Sequence, residues 1–273
     1  MNNSNKQLPG PFFVMGLIFF SYFVVFLLFE VFIRLFFPDA SVTSKELLSS
    51  KYIMAILELG LLVIPVLYFM VNKYNLKDVF LIRKSKMDSL LWVSVLGIGL
   101  FPVLDEMDRL IQVIFNFDPI DESLFEALKY TNFGEFVVLF IGIVIVASIV
   151  EELLFRGLLL QSIANRLGII QAIFISSILW SLLHGVINWT LQIFIMGMLL
   201  GLLVYYLRSA FPAILLHSIN NFMSLIFLNL DKKSSIIVNY QTEQHVRWYW
   251  IILGILFIFI SSKKLFVKRD TLS

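Results

Sequence analysis

The sequence contains no cysteine and few charged residues. Without cysteine the chain has no disulfide framework and no thiolate chemistry. Only 15% of its 273 residues are charged, whereas about a quarter are charged in a typical soluble domain. The net charge is only +2, and this argues against nucleic-acid binding, which needs a clustered basic surface. We therefore expect no nucleic-acid partner.

Apolar residues dominate what remains. They make up 59% of the chain, and the mean hydropathy is +0.90. The apolar runs are long enough for membrane-spanning helices rather than barrel strands. We predict an all-α, polytopic protein that forms a single membrane domain over residues 1–273 and is embedded in a lipid bilayer. Eight spans are predicted, near residues 12–37, 52–71, 89–104, 136–160, 168–187, 189–208, 211–229 and 248–266.

The distribution of lysine and arginine predicts the orientation. Basic residues collect in the loop 72–88 and in the tail 263–269, which fall on the same side if there are eight spans. Basic loops lie preferentially in the cytoplasm, so both termini are expected there, in a multi-pass protein of the cell membrane. The acidic segment 105–130 falls on the opposite side, where we expect an amphipathic interfacial helix.

The fourth span carries Glu151, Glu152 and Arg156 within an otherwise apolar run. A charge at the centre of a membrane helix costs roughly 2.5–3.5 kcal/mol, so such residues are rarely without a role. Glu152 and Arg156 are four residues apart, in the favourable order for a helical ion pair, and we assign them a structural role. Glu151 points about 100° away around the helix. It is either protonated by burial or meets a partner from another span.

Two of the three histidines lie in predicted spans. A lone intramembrane histidine usually bonds to a neighbouring helix, but His184 and His217 occur together with Glu151, which no residue on its own helical face is expected to neutralise. From Glu151 to a turn near 166–168 is about 22 Å of helix, and from that turn to His184 is about 24 Å, so both should reach one height. Asn221 follows His217 by four residues, so the two share a helical face.

These residue types fit hydrolysis of an acyl bond, best a peptide. A carboxylate and a histidine can activate a water molecule, and a histidine with an asparagine amide can stabilise an oxyanion. The alternative is a zinc site, for which Glu151, His184 and His217 would be the ligands. The sequence has no H-E-x-x-H motif, so these ligands would come from three helices. The residue types alone do not decide between a metal-free site and a zinc site.

Three short motifs resemble those of one family. "EELLFR" at 151–156 resembles the E-E-x-x-x-R motif of the CAAX protease and bacteriocin-processing (CPBP, or Abi) membrane endopeptidases. "WSLLH" at 180–184 is similar to their F-x-x-x-H motif, and "HSINN" at 217–221 to their H-x-x-x-N motif. The ordered set covers roughly residues 135–225, the expected catalytic core, which lies in a bundle of the last four to five helices.

The resemblance implies a role for each motif residue. Glu151 is expected to be the general base and His184 its partner, while His217 and Asn221 form the oxyanion site. The family has been described both as metalloproteases and as metal-free, glutamate-dependent proteases. Asn221 favours the second, because an asparagine is a poor zinc ligand and a good donor. No cofactor is therefore favoured.

Three further residues are expected to support the site. The resemblance assigns this role to Glu152 and Arg156. Trp180 stands where the family motif has phenylalanine, and it keeps an aromatic ring one turn before His184.

The resemblance also implies the substrate class, a membrane-tethered peptide or protein. Some relatives remove the last three residues of prenylated CAAX proteins, whereas many bacterial relatives are linked to peptide signalling or bacteriocin immunity. The short loops of this chain are similar to those of the bacterial branch.

Two other functions compete with the protease. Glu30, Arg34 and Glu58 are further intramembrane charges that the protease mechanism does not use, and such charges also build proton relays. A proton-coupled transporter is therefore one alternative, although the sequence shows no inverted repeat. A catalytically inactive scaffold or regulator is the other.

Overall fold

The structure is a computed structural model that describes residues 6–36, 51–117 and 122–266. Almost all of these residues are helical. Within these three ranges there is no strand, and the β-structure is limited to an isolated bridge between Gln241 and Val246. The all-α prediction is confirmed.

Long apolar segments become helices because only a helix satisfies every backbone polar group inside a single membrane-spanning segment. The helices are α1 (Pro11–Phe36), α2 (Lys51–Val71), α3 (Leu76–Val79), α4 (Met87–Phe115), α5 (Glu122–Ala127), α6 (Phe133–Leu167), α7 (Ile169–Leu183), α8 (Ile187–Leu207), α9 (Phe211–Asn229), α10 (Ser235–Tyr240) and α11 (Trp248–Leu265).

Six helices of the described ranges are long and apolar enough to cross a membrane, namely α1, α4, α6, α8, α9 and α11. Shorter apolar helices run over Ala55–Val71, within α2, and over Ile169–Leu183. Each of the eight predicted spans coincides with one of these helices. The chain is therefore a multi-pass membrane protein.

Two predicted boundaries are wrong. The third span was expected to end near residue 104, but α4 continues to Phe115, so the first part of the predicted interfacial segment belongs to α4. Its acidic residues stay in the helix because they bind a later segment of the chain, as described below. The fifth span was expected to reach residue 187, but α7 ends at Leu183. Gly185 then adopts a φ of +69°, which an α-helix cannot contain.

The chain divides into two compact units. Unit 1 comprises Met1–Ile82 and Asp121–Ala172, and unit 2 comprises Arg83–Ile120 and Ile173–Ser273. Within unit 1, α1 packs against α2, and α2 packs against α6. Within unit 2, α4 packs against α8, α9 and α11. The predicted single domain with its catalytic core at 135–225 stays a prediction.

Helix α6 in unit 1 is continuous but not uniform. Asn132 caps it by accepting a hydrogen bond from a first-turn backbone N–H at 3.0 Å, and Gly168 follows its last turn with a φ of +88°. The segments Phe140–Ala147 and Leu153–Leu159 are π-helical and flank the α-helical Ser148–Glu152. π-helical turns, with bonds from i to i+5, are rare and occur frequently at functional sites.

In unit 2 the backbones of α4 and α11 touch. A Cβ atom added to Gly254 would lie 2.6 Å from the carbonyl oxygen of Gly99, and one added to Gly99 would lie 2.8 Å from the oxygen of Gly254. Membrane helices gain contact area in this way, since lipid tails leave little hydrophobic driving force between them. These two glycines therefore fix the distance between α4 and α11.

Candidate active site

The predicted Glu152–Arg156 pair lies in the core of unit 1. Arg156 Nη1 donates to Glu152 Oε1 at 2.9 Å, and both side chains are 0% exposed. The predicted i,i+4 ion pair is confirmed. Removing one member of a buried pair commonly costs about 3–5 kcal/mol, because the other charge stays buried. The stability of the fold therefore depends on both side chains being present.

Glu151 is half-buried and lies next to this pair. Glu151 belongs to the Ser148–Glu152 segment, which packs against α2, the helix that carries Glu58. Glu58, which the protease mechanism does not use, thus lies on a helix that packs against the segment of the predicted base.

His184 lies outside any helix, which corrects its expected place within the fifth span. It is an exposed residue in the turn between Leu183 and Ile187. Its ring Nδ1 lies 2.9 Å from the carbonyl oxygen of Trp180. A carbonyl oxygen can only accept, so Nδ1 carries the hydrogen, and Nε2 is the acceptor of the neutral ring. This hydrogen bond orients the imidazole.

Trp180 connects the two motif histidines within unit 2. Its indole is only 3% exposed, and it makes an edge-to-face contact with His184, with ring centroids 5.0 Å apart. It makes the same type of contact with His217, with ring centroids 5.4 Å apart. The structure therefore brings both histidines to one aromatic ring, and the replacement of phenylalanine by tryptophan is accommodated.

His217 and Asn221 both lie on α9. His217 is 4% exposed, and Asn221 is half-buried one turn further along the helix. The helical separation of four residues puts both on one face, as the sequence predicts. An imidazole N–H and an amide N–H on one face are two donors of the kind that an oxyanion needs.

The predicted site residues divide between the units. Unit 1 holds Glu151 with its neighbours, and unit 2 holds both histidines with Asn221. The convergence of all four on one water molecule stays a prediction. Within either unit, no three His, Asp or Glu side chains of the described ranges are grouped as metal ligands. A zinc ion at Glu151, His184 and His217 would need ligands from both units.

A second polar cluster, which the sequence analysis missed, lies in unit 2. Asp105 of α4 accepts a hydrogen bond from the Tyr240 hydroxyl at 2.9 Å. Glu106 accepts one from the backbone N–H of Val246 at 2.7 Å, and its other oxygen lies 2.7 Å from Nδ1 of His245. Burial, and then the Asp105 carboxylate, raise the pKa of the Tyr240 phenol. The acidic end of α4 thus anchors the segment 230–247.

The anchored segment forms one wall of an apolar cavity in unit 2. The cavity has a volume of about 360 Å³. Its other walls come from α4, α9 and α11, and it is lined by residues that include Phe101, Pro102, Met223, Phe227, Tyr240 and Trp250. None of the motif residues lines it.

Comparison with known proteins assigns the central part of the chain. Residues 133–223, one third of the chain, match the family model described as Type II CAAX prenyl endopeptidase Rce1-like. The match includes all three motifs, from Glu151 to Asn221, and it confirms the resemblance to CAAX proteases. No curated protein and no solved structure matches the chain.

Proposed function

We propose that this protein is an intramembrane endopeptidase of the CAAX protease type, in which Glu151 activates water to hydrolyse a peptide bond. The match of residues 133–223 supports a peptidase at the level of the family. The observation that carries the proposal is the contact of Trp180 with both motif histidines, because it groups the imidazoles of two separate motifs.

Each group has a defined part in the reaction. The Glu151 carboxylate removes a proton from water, whose oxygen attacks the carbonyl carbon of the peptide. His184 accepts a hydrogen bond from the same water through Nε2, since its Nδ1–H is held by the Trp180 carbonyl oxygen. The carbonyl oxygen becomes an oxyanion, to which His217 and Asn221 donate. The C–N bond then breaks, and the proton held by Glu151 passes to the leaving nitrogen.

A metal-free mechanism suits this donor set. Asn221 offers an amide, which is weak as a zinc ligand and strong as an oxyanion donor. A bound zinc would supply Lewis-acid activation of water at Glu151, His184 and His217. Cleavage that continues after exhaustive chelation supports the metal-free proposal, and cleavage that is lost on chelation and restored by zinc contradicts it.

The proposed substrate is a peptide or protein tethered to the membrane. The Rce1-like family description names a prenyl endopeptidase, and this chain is a multi-pass membrane protein. A lipid-anchored C-terminal peptide is therefore the first substrate to test. The basic loops support a cell-membrane location with both termini in the cytoplasm, and the short loops support a bacterial source; we propose both.

Replacing Glu151 by glutamine tests the proposal directly. We expect Glu151→Gln to reduce cleavage of a lipid-anchored peptide by at least about 100-fold, since an amide cannot act as the base. Yield and thermal unfolding should stay as in the wild type. Glu30→Gln, which changes an exposed carboxylate on α1, is the matched control and should keep full activity. If the Glu151→Gln protein cleaves the peptide at the wild-type rate, Glu151 is not the general base.

A transporter is the second candidate, and one observation favours it. Tyr22, Glu58 and Glu151 are titratable side chains on three segments of unit 1, and α2 packs against both of the others, as the parts of a proton relay would. Proton uptake by proteoliposomes, without cleavage of any peptide, would support this function. An inactive scaffold would show neither activity.

A further inference from the structure

Basic residues of unit 2 collect where three of its helices begin or end. The last turn of α11 carries Lys263 and Lys264, and Arg208 directly follows α8. Lys86 directly precedes α4, and Lys84 lies two residues before it. All five residues are exposed, so their charges are accessible to a partner.

Aromatic contacts join the end of α11 to the two other helices. Lys264 lies over the ring of Trp92 in the second turn of α4, with Nζ 5.8 Å from the ring centroid. Tyr206 near the end of α8 makes an edge-to-face contact with Phe266, the residue after α11, with ring centroids 5.1 Å apart. The start of α4 and the end of α8 therefore both lie next to the end of α11.

A hydrogen bond closes this ring of contacts. Ser209, the residue after Arg208, donates from its hydroxyl to the carbonyl oxygen of Arg83 at 2.7 Å. Arg83 immediately precedes Lys84, so the bond connects the end of α8 to the segment before α4. The three helix ends thus form one surface. We call it the basic end of unit 2 and define it by Lys84, Lys86, Arg208, Lys263 and Lys264.

The charge of this surface is unbalanced. The segments 83–88, 205–209 and 262–266, which form it, contain six basic residues and one acidic residue, Asp88. The whole chain, in contrast, has a net charge of only +2. A local excess of one charge attracts partners of the opposite charge, so the basic end is suited to an anionic partner.

Aromatic rings hold two more of these cations without neutralising them. Nζ of Lys263 lies 4.1 Å from the ring centroid of Phe259, and the guanidinium of Arg208 lies 5.3 Å from that of Tyr205. A ring attracts a cation through its quadrupole but has no net charge. The cations are therefore kept near the helix ends, and their charge still attracts an anion.

The position of the basic end identifies the partner. Helices α4, α8 and α11 are each long and apolar enough to cross a membrane, and the cations lie just where these apolar helices end. The headgroups of phospholipids lie at this level, where tryptophan and tyrosine are also enriched, as Trp92 and Tyr206 are here. Clusters of lysine and arginine beside membrane helices bind anionic headgroups.

We propose that the basic end of unit 2 binds the phosphate-bearing headgroups of anionic phospholipids. The bound headgroups bring negative charge to three helix ends whose like charges otherwise repel one another. This inference does not depend on the proposed peptidase activity, because none of the motif residues belongs to this surface.

The test measures the binding of fluorescent phosphatidylglycerol to the purified full-length protein in neutral detergent micelles. The wild type should bind it more tightly than phosphatidylcholine with the same acyl chains. One lysine near anionic headgroups contributes about fivefold in affinity. Lys84→Gln combined with Lys264→Gln should therefore weaken the binding of phosphatidylglycerol by about 25-fold and leave the binding of phosphatidylcholine unchanged.

Two further double variants are the controls. Lys232→Gln with Lys233→Gln removes the same charge from two exposed lysines beyond the opposite end of α9, and it should change the affinity by less than about twofold. Lys84→Arg with Lys264→Arg keeps the charge and should keep the affinity. Equal losses in the two glutamine double variants, or a 25-fold loss in the arginine variant, overturn the proposal.

Salt and a soluble anion test the nature of the partner. Raising the ionic strength from about 0.05 M to about 0.5 M should weaken the binding of phosphatidylglycerol, because exposed charges are screened. Inorganic phosphate at the same concentration as the lipid should not displace it. Equal affinity for phosphatidylglycerol and phosphatidylcholine, affinity that is independent of salt, or displacement by inorganic phosphate overturns the proposal. Cleavage is not measured, so these outcomes leave the role of Glu151 to its own test.

Discussion

Breaking the Glu152–Arg156 ion pair should destabilise the protein far more than breaking an ion pair of the same geometry on the surface. At 2.9 Å, two unit charges attract each other by about 6 kcal/mol at an effective dielectric constant of ~20. Much of this attraction is offset by the cost of burying both charges. In Glu152→Gln that cost remains for Arg156, so we expect a loss of about 3–5 kcal/mol.

The chain contains a matched surface pair for comparison. Glu30 and Arg34 are also four residues apart and also 2.9 Å from each other, but their side chains are 37% and 76% exposed. The two residues lie in the last two turns of α1, from where their long side chains can reach water at the membrane surface. Breaking an ion pair that is exposed to water commonly costs less than about 1 kcal/mol, so Glu30→Gln should have little effect. Both variants can be compared by unfolding in mixed detergent micelles.

A third variant separates charge from packing. Replacing both members by apolar residues, in Glu152→Leu with Arg156→Met, leaves neither charge of the pair in the core and should recover most of the stability lost in Glu152→Gln. If Glu152→Gln and Glu30→Gln lose equal stability, the buried pair does not act as argued. If the double variant is less stable than Glu152→Gln, the ion pair itself stabilises the fold, which contradicts the argument.

Three further changes test other parts of the structure. Gly185→Ala places a side chain at a φ of +69°, so we expect a cost of about 1 kcal/mol and a fall in kcat as His184 moves; unchanged kinetics would show that this turn does not position His184. Gly254→Ala puts a Cβ atom 2.6 Å from the Gly99 oxygen, so thermal unfolding should show a loss of about 1–3 kcal/mol, and a neutral effect would contradict this close packing. The raised pKa of Tyr240 means that the folded protein holds this proton more tightly than the unfolded chain does. Stability should therefore fall as the pH rises above about 10, the ordinary tyrosine value, and Tyr240→Phe should weaken this fall; an identical pH dependence in both proteins would contradict it.

Local rules in the sequence predict much of this molecule. Long apolar runs identify the spans, because a helix is the structure that satisfies the backbone within lipid. The four-residue spacing predicts the Glu152–Arg156 pair, since it depends on the geometry of one helical turn. These features need no knowledge of distant parts of the chain.

Features that depend on distant contacts could not be predicted. The charged end of α4 stays helical because Asp105 and Glu106 bind residues about 140 positions later in the chain. The hydropathy of the sequence does not predict these contacts. The sequence does not show that α2, which carries Glu58, packs against the segment of α6 that carries Glu151. The π-helical segments of α6 were also missed, since an apolar run has the same hydropathy in either kind of helix.

The four-residue spacing within the motifs has a physical explanation in the first two of them. In each, two polar or aromatic residues lie four positions apart, and the second position is one helical turn from the first. Arg156 binds Glu152 in this way, and the carbonyl oxygen of Trp180 holds Nδ1 of His184. A side chain that is held by its own helical turn keeps its orientation without help from another helix. The second motif therefore holds the imidazole that the proposed reaction uses, and the first holds the buried ion pair next to Glu151.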